Sequence, residues 1–97
     1  MTSELESVRA DIDAIDRQIV ALIAERQGRV EAAGRLKSDR AAVRAPSRVE
    51  SVIEKVRGLA VEAGADPTVV EQTYRSMIAA FIDLELRVHE REVSSET

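Results

Sequence analysis

Three charged side chains sit where a helical apolar pattern calls for hydrophobic ones, and they define the chemistry open to this chain. Arg26 follows Leu22 by four residues and precedes Val30 by four, and Lys37 follows Ala33 by four. At about 3.6 residues per turn both point to one side of a helix. The eleven positions from Arg26 to Lys37 amount to about 16 Å of helix axis, so two long side chains leaning inward can grip one ligand of metabolite size. Glu85 occupies the matching place in the stripe Tyr74, Ile78, Phe81, Glu85. If all three face one interior, a single carboxylate cannot neutralise two desolvated cations, and a dianionic ligand completes the balance. The plainer alternative is that each cation lies at the edge of its stripe, stem across the apolar surface and head in water. Arg9 lies about 25 Å up the helix from Arg26 and roughly 100° round it, so it reaches the same small molecule only from an antiparallel partner chain. Arg48 stands at the start of another helix, where the positive dipole end suits a carboxylate, unless it is simply exposed.

The rest of the composition narrows the alternatives. With no Cys and a single His, His89, the chain lacks thiolate nucleophiles, disulfides and Cys/His zinc sites, and neither a metal site nor a cofactor is expected. Two aromatics, Tyr74 and Phe81, and a net charge of -4 argue against a nucleic-acid surface. The 14 basic residues are 12 Arg and 2 Lys; codon bias accounts for most of them, although Arg is also the side chain that binds carboxylates in bidentate fashion. No apolar run approaches the roughly 18 residues of a membrane span, and Met1-Thr2-Ser3-Glu4 is acidic rather than the start of a leader, so a cytoplasmic protein without membrane contact is expected.

Helices must position these groups. Leu5, Val8, Ile12, Ile15, Ile19 and Leu22 recur at 3/4 spacing that continues through Arg26, Val30, Ala33 and Lys37, which predicts one helix that begins after Thr2 or Ser3 and breaks near Ser38. The periodicity stops over 38–44. A second helix is expected after Pro46, with Ser47 and Glu50 as a capping box and a stripe of Val49, Val52, Ile53, Val56, Leu59 and Ala60, ending at Gly64. Asp66 and Pro67 open a third through Val70, Tyr74, Met77, Ile78, Phe81, Ile82 and Leu86 to about Arg91, with residues 92–97 a frayed tail. The expected fold is all-α, a single domain over 1–97 with long, short and long helices. A helix of this first length runs about 50 Å, whereas a compact chain of 97 residues has a radius of gyration near 12 to 13 Å. The overshooting apolar stripe needs cover, most simply from a second copy in an intertwined homodimer.

Arg9-x-x-Ile12-x-x-x-Asp16, Leu22-x-x-Glu25-Arg26, Gly34-x-x-Lys37, Val43-Arg44, Arg48, and Tyr74 eleven residues before Glu85 together resemble the all-helical chorismate mutases and the related isochorismate pyruvate lyases. The resemblance covers about residues 5–91. It implies a homodimer with two equivalent sites, in which Arg26 and the partner's Arg9 bind the two substrate carboxylates. It further implies that Lys37 donates to the ether oxygen of the enolpyruvyl link, that Glu85 is the second donor there, and that Arg48 orients the site. A pericyclic rearrangement needs only a compact substrate conformer and stabilisation of charge on the breaking C–O bond, so the scarcity of nucleophiles fits.

Two departures from the family pattern carry consequences. Many bacterial mutases hold the ring hydroxyl with an acid three residues before the position of Arg48 and another just after it; here stand Ala45 and Val49. The segment from Ala45 to Val49 and the aromatic Phe81 are more similar to the lyase branch. Glu85 occupies a position that is Gln in most bacterial members and Glu in fungal mutases. A carboxylate donates only when protonated, so activity is expected to fall as pH rises. Chorismate mutase activity is the leading expectation, with aromatic amino acid biosynthesis or a siderophore or antibiotic pathway as its setting. Isochorismate pyruvate lyase, a mutase of amino-substituted chorismate, and a non-catalytic helical dimerisation module are the alternatives.

Overall fold

The computed structural model describes residues 3–37 and 39–96, with side chains as far as Arg91. Helix α1 spans Glu4–Leu36, α2 is a single turn at Arg40–Arg44, α3 spans Pro46–Ala63 and α4 spans Pro67–Glu96. The expected long, short and long helices are thus α1, α3 and α4. No helix among the described residues is long and apolar enough to cross a membrane.

Local chemistry accounts for most of the boundaries. Ser3 starts α1: its hydroxyl accepts from the Glu6 amide at 3.1 Å while the Glu6 carboxylate accepts from the Ser3 amide at 3.4 Å, a reciprocal box that satisfies two otherwise orphaned donors. Asp66 starts α4 by accepting from the amides of Thr68 and Val69. Gly64 ends α3 at φ 78°, donating to Val61, while Ala65 donates back to Ala60 at 2.8 Å. That left-handed closure costs glycine no Cβ clash.

Three boundary expectations fail. The segment 38–44 is not all loop, because the Asp39 carboxylate accepts from the Ala42 amide at 2.8 Å and nucleates the α2 turn; Ser38 lies outside the described residues. Ser47 caps nothing: Pro46 already holds the first helical position and Ala45 is the N-cap, with no side-chain capping bond. Glu50, the other half of the expected box, is instead gripped from α4 by Arg75. Helix α4 also continues to Glu96 rather than stopping near Arg91, since Ser94 and Ser95 lower helix propensity without breaking the backbone ladder as Gly or Pro would.

The turn at Gly64 folds α3 back against α4, and the last third of α1 lies on α4. Val43, Ile53, Val56, Ala60, Ile78, Phe81, Leu86 and Val88 form the core, each at most 8% exposed. Leu59, expected in the α3 stripe, is half exposed. The molecule measures 62 × 29 × 15 Å with a radius of gyration of 17.2 Å, well above the roughly 13 Å of a compact chain this long. The overshoot of α1 is therefore real. Along its projecting part Leu5, Val8, Ile12, Ile15, Ile19 and Leu22 are 46–62% exposed, an apolar stripe that no described residue covers.

Candidate functional site

Where α1 ends, α3 begins and α4 passes between them, the helices enclose a cavity of about 300 Å³, within the range of small-molecule sites. Its wall unites four of the five residues singled out from the sequence: Arg26, Lys37, Arg48 and Glu85. Spacing explains the first two, which share the α1 stripe with Val30 and Ala33, both also in the wall. Arg9 is not in the wall; it stands exposed on the projecting part of α1.

Lys37 is the C-cap of α1, its amide donating to the Gly34 carbonyl, and its extended backbone turns the side chain inward. The ammonium donates to Glu85 Oε2 at 2.6 Å. The Glu85 side chain is 9% exposed and that of Lys37 27%, so this is a largely desolvated pair in which each ion needs the other. Glu85 thus stands as an acceptor toward Lys37. Gly34 makes room for it: a Cβ at that position would lie 3.4 Å from Glu85 Cγ. The half-buried Arg26 places its guanidinium 5.1 Å from the centre of the Phe81 ring, a cation–π contact that orients the planar group.

Arg29 and Arg44 also line the cavity. Arg29 was legible in principle, three residues after Arg26 and eight before Lys37 on one helical face. Arg44 was not, because its direction depends on Ala45. That residue ends α2 and starts α3 at φ 31°, ψ 65°, a left-handed conformation that is costly for a residue with a Cβ. The kink aims Arg44 and Arg48 at one space. Among the described residues, Arg26, Arg29, Arg44 and Arg48 have no carboxylate partner. The cavity therefore presents four uncompensated guanidinia around one internally neutral Lys–Glu pair. Ala45 and Val49, next to Arg44 and Arg48 in the chain, contribute apolar wall.

Such a wall suits an anion with two separated charges and a mostly apolar body. The sequence is 36% identical over 78 residues to an isochorismate pyruvate lyase of Pseudomonas aeruginosa (strain PAO1), covering 80% of this chain and 77% of the relative. Residues 8–86 match the family described as chorismate mutase type II, and the chain belongs to that family.

Proposed function

We propose that the chain is a cofactor-free enzyme acting on a chorismate-type dianion, with the rearrangement of chorismate to prephenate as its reaction. One observation carries the reading: four guanidinia without carboxylate partners among the described residues converge with Lys37 on a cavity whose wall includes the single acid Glu85. Arg26 binds one substrate carboxylate and the partner's Arg9 the other. A two-fold partner is supported by the half-exposed stripe of α1, on whose projecting part Arg9 stands. Lys37, held in place by Glu85, donates to the ether oxygen as negative charge develops there, and Glu85 is the second donor to that oxygen, a role that a carboxyl fills only as the acid. The C–O bond breaks as the enolpyruvyl methylene carbon bonds to the ring, so all electrons move within the substrate. The protein supplies the conformer and the charge stabilisation.

A second reading, cleavage of isochorismate to salicylate and pyruvate, is favoured by the apolar Ala45 and Val49 and by the likeness to the Pseudomonas lyase. Separate incubation with chorismate and isochorismate, followed by product identification, distinguishes the two. Consumption of neither, together with a melting temperature unmoved by either dianion, would sink both in favour of a non-catalytic helical module.

A further inference from the structure

We propose that Arg29 and Arg44 form an outer pair of capturing cations at the mouth of the cavity, which draw a dicarboxylate in before Arg26 and Lys37 hold it; this rests on reading the cavity as a site for such a dianion. Neither residue is needed by the chemistry outlined above, yet both line the wall while remaining exposed. The inner cations are already engaged, Arg26 with the Phe81 ring and Lys37 with Glu85. Arg40, Arg57 and Arg75, outside the cavity, each hold a glutamate. Arg29 and Arg44 hold no carboxylate among the described residues, and one of them is aimed by a strained left-handed Ala45.

The charge balance gives the pair its purpose. The whole chain carries -4 and at long range repels a dianion, so a local positive mouth is needed to reverse the field where the ligand enters. Exposed cations add little as static contacts. Their field nevertheless reaches about 10 Å at 0.1 M salt and only about 3 Å at 1 M, which makes salt dependence the signature.

The test compares wild type, Arg29→Gln, Arg44→Gln, the double variant and Arg57→Gln, which removes the same charge outside the cavity. Turnover of the accepted substrate is followed from about 0.01 M to about 1 M salt. The double variant is expected to lose about tenfold in kcat/KM at the lowest salt and to come within about twofold of wild type at the highest. The loss is larger in kcat/KM than in kcat, each single variant lies between, and Arg57→Gln follows wild type. A loss that persists at high salt, one that sits in kcat, an equal loss in Arg57→Gln, or no loss at all would overturn the proposal. If neither chorismate nor isochorismate is consumed, the same salt series on calorimetric binding of succinate separates the two ideas. Salt-sensitive weakening in the double variant then leaves capture standing without the enzyme, and its absence removes capture as well.

Discussion

Arginines on the outer face of the α3–α4 hairpin and arginines around the cavity are treated in opposite ways. On the hairpin Arg75 grips Glu50 through both terminal nitrogens at 2.8 and 2.9 Å and Glu71 through Nε at 2.8 Å, while Arg57 reaches Glu71 at 2.7 Å. Hydrogen bonding to Arg75 holds the Glu50 and Glu71 carboxyls below the usual carboxylate range and makes Arg75 more basic. Around the cavity the guanidinia converge without such partners among the described residues. Paired cations tie helices together, whereas unpaired ones crowded on one concave wall are stabilised by an outside anion. The same residue type therefore ties helices together in one place and, under the proposed function, binds the ligand in the other.

The sharpest way to break this contrast is to delete single cations on each side of it. Lys37→Ala should lower kcat on the order of 100- to 1,000-fold, with the far-ultraviolet helical signal intact because Lys37 lies at the end of α1. Arg26→Ala should act mainly through KM. A turnover within about threefold of wild type in Lys37→Ala would remove the donor role. Glu85→Gln comes next: the amide can still donate to the ether oxygen but no longer holds Lys37 by charge, so it should keep much of the activity, and a loss as large as that of Lys37→Ala would refute the donor role.

Effects outside the cavity should be smaller and should appear in stability instead. Arg75→Ala is expected to lower the melting temperature slightly at neutral pH with unchanged kcat. Because Glu50 and Glu71 have lowered pKa values in the folded state, their contribution is present above the ordinary carboxylate range and is lost as pH falls through the folded values. The gap between wild type and Arg75→Ala should therefore close on acidification. A gap that widens in acid would contradict the ion-pair account. The smallest change is expected from Ala45→Gly, which relieves the left-handed strain but also loosens the unfolded chain. Its melting temperature should move little, and a loss confined to KM would show that the kink matters for aiming Arg44 and Arg48.

How much of this could be read from the residues differs by length scale. Helix periodicity located α1, α3 and α4, and the overshoot of α1 followed from arithmetic on its length. The convergence of Arg26, Lys37 and Glu85 was legible as charge on apolar stripes. Ser47 and Glu50 misled because a local motif competes with Pro46 at the helix start and with Arg75, which lies 25 residues away in sequence from Glu50. Arg44 belongs to the family pattern but receives no site role from the sequence, because its direction is set by the φ of a single alanine, which no periodicity encodes. By residue type Gly34 merely weakens a helix, and only tertiary packing shows that Glu85 lies against it.

The uncovered stripe of α1 has a consequence for how the protein behaves in bulk. Six large side chains, Leu5 to Leu22, stand about half in water. If a second copy buries them, dilution becomes a denaturant. Order in the projecting half of α1 would then follow mass action, and the melting temperature would climb with protein concentration. Each cavity would receive its Arg9 only above the dissociation constant of the pair, so activity per chain would itself be a titration curve of self-association.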